Sequence, residues 1–350
     1  MTAVVTPAPS TVDTVARGRV RRAARRRLVI TLLALAVLVA FAVTLMVGRT
    51  FYPPGDVLRV VLGSDVPGAS FTVGTLRLPR AVLAVVAGLS FGLAGVTFQT
   101  MLRNPLASPD VIGITSGASA AAAFAIVILG WSGTAVSVTA IVAALGVALL
   151  IYMLAFKDGV AGTRLILIGI GVAAMGKSIT SYVLSKAGAW DFAEALRWLT
   201  GSLNGSTWEA TVPALVALLV FGPVLLGQTR NLSALQLGDD TASALGVRVE
   251  RTRVIAIVAA VALLAFATAA CGPIAFVSFL AGPIAARLVG PNGSLLVPAA
   301  LVGALLVLVA DLCGQYAFGT RYPVGVITGV LGAPYLIYLI VRSNRTGGSL

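Results

Sequence analysis

The octapeptide GVAAMGKS at 171–178 has the spacing G-x-x-x-x-G-K-[ST], in which a glycine-rich turn cradles phosphates and the lysine reaches the outer ones. LLVLVAD at 305–311 has the form of a second nucleotide-site strand ending in a metal-holding Asp311. Such a site needs a soluble α/β sheet with polar surface around it, and this chain offers neither. The glycines therefore read as helix-packing residues. Lys177 is left as a charge near the middle of an apolar run, where facing lipid costs roughly 2.5–3.5 kcal/mol. It is expected to face water or a partner, as a translocation-path candidate favouring an anionic cargo, or else to snorkel or bond carbonyls at a helix break. Leaving aside Glu209 at the very start of the span 208–228, Asp311 is the one carboxylate placed within an expected span.

Histidine is absent and the only cysteines are Cys271 and Cys313, inside apolar sequence. Zinc, thiol-redox and His-dependent chemistry are thereby removed, so no catalytic residue, metal or cofactor is expected. The cysteines read as small packing residues. One in-span carboxylate without histidine also makes a poor proton relay, which disfavours the alternative class of ion-coupled secondary transporter.

The elements that must position these residues are membrane helices. Of 350 residues 58% are hydrophobic and 11% charged, with mean hydropathy +1.01, against about 25% charged in soluble domains. The chain reads as an all-α polytopic membrane protein. Its net charge of +13 would suggest nucleic acid in a soluble chain. Here the cations lie mostly between apolar runs, so they carry topology and no nucleic-acid partner is expected.

With about 20 apolar residues needed per crossing, ten spans are expected near 28–48, 80–102, 111–130, 134–156, 164–186, 208–228, 253–271, 274–289, 295–313 and 323–341. The first resembles a signal peptide, but its length and its poor cleavage site mark a retained helix. Seventeen Lys and Arg fall on the side of the N-terminus and seven on the other. Both termini are therefore expected in the cytoplasm of a multi-pass protein of the inner membrane. Residues 1–27 form a basic cytoplasmic tail expected to be disordered, its arginines lying against inner-leaflet lipid. Residues 28–342 form the transmembrane domain and 343–350 a short cytoplasmic tail.

Three stretches stand out. Residues 77–117 carry Arg77 and Arg80, then a small-residue face with Gly88 and Gly92, then the turn RNPLASP at 103–109. The glycines let another helix approach closely. Pro105 and Pro109 break helix geometry, leaving either a proline-capped hairpin or a cytoplasmic constriction lined by Asn104 and Leu106. Residues 187–207 read as an interfacial helix with Trp190 and Trp198 at headgroup level and Glu194 and Arg197 as i,i+3 partners. In the cytoplasmic loop 229–252, Asp239 or Asp240 can cap a two-turn helix that Gly246 stops. Flanked by arginines, that helix is either incidental or offered to a cytosolic partner.

These residues resemble the FecCD or BtuC-like permeases of iron-siderophore and cobalamin importers. The resemblance rests on RLPR at 77–80, the face from Gly88 to Gly95, Gln99, RNPLASP, WLTGS at 198–202, the loop Leu237-Gly238 to Leu245-Gly246, GPIAF at 272–276, Ala310-Asp311, PVG at 323–325 and GAP at 332–334. It implies the type II ABC-importer permease architecture of about ten helices. It implies a second permease subunit, a cytosolic ABC ATPase dimer that hydrolyses ATP, and an extracytoplasmic substrate-binding protein. Ferric-siderophore import is the expected function, with cobalamin or haem as alternative cargo. Asn104 and Leu106 look like the cytoplasmic gate. Leu237, Gly238, Asp239, Asp240, Ala242, Leu245 and Gly246 look like the ATPase-coupling element, and Arg77 and Arg80 like basic knobs that dock the binding protein. The chain departs from the family at Pro283-Ile284, where Pro-His is common, and at Arg321, where an acidic residue is common. Arg321 therefore joins the docking candidates, and a heterodimeric permease is expected.

Overall fold

In the computed structural model, residues 11–110, 112–155, 162–290 and 293–345 are described. Fourteen α-helices and one π-helical segment follow one another among them, with no strand. They are α1 (Thr11–Met46), α2 (Pro54–Val61), the π-helical Ser70–Arg77 running directly into α3 (Leu78–Met101), α4 (Ile114–Val127), α5 (Thr134–Ala155), α6 (Gly162–Ser185), α7 (Ala189–Thr200), α8 (Trp208–Gly227), α9 (Thr229–Leu235), α10 (Asp239–Ala244), α11 (Val249–Cys271), α12 (Val277–Val289), α13 (Leu296–Tyr316) and α14 (Val324–Arg345). Seven of the long helices are apolar enough to cross a membrane, and α4, α12 and α14 are shorter apolar helices in the remaining expected spans.

The bundle is built around α3. Within its most apolar window 83% of residues are buried, against 17% for α6. The reason is the small-residue face. A methyl added at Gly88 would collide with Ala304 and one at Gly92 with Ala299, both on α13, while one at Gly95 would strike the Ser278 carbonyl on α12. Backbone-to-backbone contact of this kind gains dispersion energy that lipid cannot match. Buried Gln99 adds a polar tie, donating from Nε2 to the Phe279 carbonyl at 3.0 Å. By contrast, α5, α6 and α8 keep most of their surface exposed.

Two expectations need correcting. Residues 11–27, expected to be disordered, are helical and continuous with the first span. Alanine and arginine are good helix formers, and a helix already nucleated in the apolar part extends into them at little cost. Residues 1–10 and 346–350 and Lys157 lie outside the described residues. The interfacial helix is present as α7, with Trp190 90% exposed, but Glu194 and Arg197 form no ion pair among the described residues. Both cysteines are free.

Candidate functional site

At the end counted as outer, Arg80 opens α3 and meets Asp311 of α13 in a two-pronged pair. Nη2 donates to Oδ1 at 2.7 Å and Nε to Oδ2 at 2.9 Å. Asn204 accepts from Nη1 at 2.6 Å, and Gln315 donates to Asp311 Oδ2 at 2.9 Å. The side chains are only 15% and 3% exposed. Arg77 donates to the Leu45, Met46 and Thr50 carbonyls at 2.7–2.9 Å and lies over the Tyr52 ring, closing the C-terminus of α1, where a cation is favoured. The two arginines expected as exposed docking knobs are therefore engaged within the chain. Arg321 is exposed.

Beside this pair three sequence motifs converge. Gly201 and Gly272 have φ of 76° and 72°, and added methyls there, or at Gly325, would meet the backbone of the neighbouring motif. Ser202 N donates to the Cys271 carbonyl at 2.7 Å and Gly325 N to that of Gly201 at 3.1 Å. WLTGS, GPIAF and PVG are thus one knot that fixes the Asn204 loop against Arg80.

At the opposite end α3 stops at Met101, and Arg103 takes a left-handed φ of 51°, which costs a non-glycine residue roughly 1–2 kcal/mol. Asn104 Oδ1 accepts from Leu106 N at 2.9 Å, so the turn is held by its own side chain. Asn104 lines a cleft of about 560 Å³, whereas Leu106, 37% exposed, stands outside its wall. The half-buried Asp110 carboxyl accepts from Thr115 at 2.5 Å and from Ser108 at 3.3 Å. Burial pushes it above the ordinary carboxylate range, and the two hydroxyls oppose that rise.

The loop 229–252 folds into α9 and α10. The first residue of α10 is Asp239, but the position before it is Gly238, with φ of 106°, and neither Asp239 nor Asp240 caps the helix. Asp239 is drawn away by charge: its oxygens accept from Arg253 at 2.7 and 2.9 Å and from Arg103 at 3.4 Å. The expected stop is present. Gly246 has φ of 83°, Gly246 N donates to the Ser243 carbonyl and Val247 N to that of Ala242, the paired bonds of a Schellman cap. Ala242 is fully buried, while Leu237 and Leu245 on either side are each 64% exposed. The result is a short rigid helix offering two leucines. Lys177 is exposed on α6, whose Gly169 and Gly176 face contacts the α4 region at Ile112 and Ser116.

Against known proteins, the model of the FecCD transport family matches residues 35–342. The chain belongs to that family. Over 325 residues it is 41% identical to the ferric enterobactin transport system permease protein FepG of Escherichia coli K12, covering 91% of this chain and 98% of that protein. It is also 41% identical to the achromobactin transport system permease protein CbrC of Dickeya dadantii, over 90% of each. Among solved structures, an inward-facing transporter of the metal-chelate ABC type superposes with a TM-score of 0.80 at 28% identity, over 89% of this chain and 98% of that one. This FecCD protein is thus a multi-pass membrane permease subunit, and its GKS octapeptide lies in the membrane helix α6. Sequence reasoning missed the Arg80–Asp311 pair, although an isolated in-span carboxylate near one helix end and an arginine at the same level were its available signal.

Proposed function

We propose that this FecCD protein is the translocating subunit of an ATP-driven importer that carries ferric-siderophore complexes inward across the cytoplasmic membrane. The observation that carries this reading is the 41% identity to a ferric enterobactin permease through 98% of that protein's length. Both termini and α9–α10 then lie in the cytoplasm, in keeping with the excess of arginine at that end. Leu237 and Leu245 enter a groove on a cytosolic ATPase dimer, which supplies the hydrolysis. The Asn104–Leu106 turn forms the inner gate. Arg321 meets carboxylates of an extracytoplasmic binding protein; an exposed pair of this kind orients docking more than it adds affinity. Arg77 and Arg80 serve that face indirectly, by holding its loops. A second permease subunit covers the exposed side of α6, where Lys177 meets water on the path. Because Arg321 stands where related permeases commonly carry an acid, that second subunit is a different chain.

The test is uptake of radiolabelled iron as ferric siderophores, with haem and cobalamin alongside, in a strain deleted for the gene and complemented by it. Restored uptake of a ferric siderophore is expected. Restoration of cobalamin or haem alone would reassign the cargo. Uptake surviving ATP depletion while an ion gradient is maintained would overturn the ATP-driven mechanism.

A further inference from the structure

The 560 Å³ cleft beside the Asn104 turn lies among the last turns of α3 and α12, α9, Leu339 of α14 and the loop before α13, and its wall has two chemistries. Arg103, Arg287 and Ser294 supply polar surface, and the half-buried Pro105, Ala286 and Leu295 supply apolar surface; no Asp or Glu lines it. Arg287, in the last turn of α12, lies 4.9 Å from the Tyr338 ring and 5.5 Å from the Tyr335 ring. Those rings are 6.0 Å apart. Stacking occupies the guanidinium face and leaves the edge N–H groups for another ligand. No carboxylate among the described residues pairs with Arg287. Arg103 shares Asp239 with Arg253, which Glu250 also faces at 3.9 Å, so those four groups are neutral together and the unmatched charge at the cleft is that of Arg287. At the rim Arg26 donates to the Ser294 carbonyl.

A cationic edge against an apolar wall, with tyrosines beside it, fits an anionic amphiphile at headgroup depth. We propose that this cleft binds one anionic phospholipid, its phosphate held by Arg287 and Arg103 and an acyl chain lying along Pro105, Ala286 and Leu295. Basic pockets between membrane helices on the cytoplasmic side hold anionic headgroups by this chemistry. A soluble phosphate ester would satisfy the arginines but leave the apolar wall in water. Placement in the inner leaflet rests on the proposed orientation; binding does not, because both leaflets of a test membrane carry the lipid.

The test is native mass spectrometry of the full chain released from membranes of phosphatidylglycerol and phosphatidylcholine, with no transport readout. The wild type is expected to retain one phosphatidylglycerol in preference to phosphatidylcholine. Arg103→Gln with Arg287→Gln is expected to weaken retention about 30-fold, the loss for two arginines at the membrane surface. Arg230→Gln with Arg251→Gln, two arginines outside the cleft, leaves retention unchanged. Equal retention of phosphatidylcholine by the wild type overturns the proposal, and this arm stands even if the cleft variant does not fold. Retention by the cleft variant equal to the wild type overturns it too. So does displacement by an equal concentration of glycerol 3-phosphate, which would make the cleft a site for soluble anions.

Discussion

Replacing Asp311 by Asn leaves the shape of the outer end intact and removes the charge that matches Arg80. Both pair members are largely shielded, at 15% and 3% side-chain exposure, and two bonds of 2.7 and 2.9 Å join them. Taking one partner from a buried pair leaves an uncompensated charge and costs about 3–5 kcal/mol, whereas replacing both by apolar groups is near neutral. At about 2 °C per kcal/mol, suited to a large chain, the unfolding midpoint of Asp311→Asn should fall by roughly 6–10 °C. Arg80→Met with Asp311→Leu should recover most of that loss. The assay is thermal unfolding of detergent-solubilised protein followed by loss of the monodisperse peak. A midpoint within a degree of wild type for Asp311→Asn would refute the assignment of the pair as the closure of this end. Equal destabilisation of the double variant would show that the arginine matters through its other partner, Asn204.

Leu237→Ser with Leu245→Ser should leave the unfolding midpoint unchanged, because both side chains are solvent-facing, and should abolish co-purification of the ATPase; retained co-purification would remove α10 from that interface. Asp110 is held above its ordinary pKa by burial, so its contribution to stability is full below the unfolded carboxylate value, near pH 4, and is lost as pH rises through the folded one. Asp110→Asn should flatten that dependence, read as proteolytic cleavage at 104–113 across pH 4–8; identical profiles for both proteins would refute it. Lys177→Met should lower uptake of an anionic ferric chelate without altering assembly, and unchanged uptake would take Lys177 off the path.

The helices were legible because a membrane span is a local property: about 20 apolar residues decide it wherever the rest of the chain lies. The glycine face of α3 was legible for the same reason, as was the Gly246 stop, whose left-handed residue and length are written in consecutive positions. Arg80 and Asp311 are 231 residues apart, and nothing in either neighbourhood says which helix will stand beside which. That pairing follows only once Gly88 and Gly92 have seated α3 on α13. Sequence reasoning misjudged Asp239 for a related reason: a capping role is the local prior, and the two arginines that outbid it come from α11 and from the turn after α3. The tail failed in the opposite sense. Its composition reads as disordered, but the helix entering it was nucleated by residues outside it.

Asp239 also joins two parts of the proposed mechanism. Through Arg253, whose side chain is only 9% exposed, it anchors α10 to α11, and through Arg103 it touches the residue immediately before Asn104. A displacement of α10 by a bound ATPase therefore moves a carboxylate that also holds the strained start of the gate turn. Asp239→Ala removes both carboxylate oxygens and cuts both links. Asp239 is 40% exposed, so solvent screening discounts the loss to about 1–2 kcal/mol, small enough for the protein to fold. The expected phenotype is an assembled transporter that hydrolyses ATP at the wild-type rate but imports fewer substrate molecules per ATP. Measuring both rates on the same reconstituted vesicles decides it. A fall in the two rates by the same factor would mean that Asp239 supports assembly alone, and an unchanged ratio with full activity would remove the link between the coupling helix and the gate.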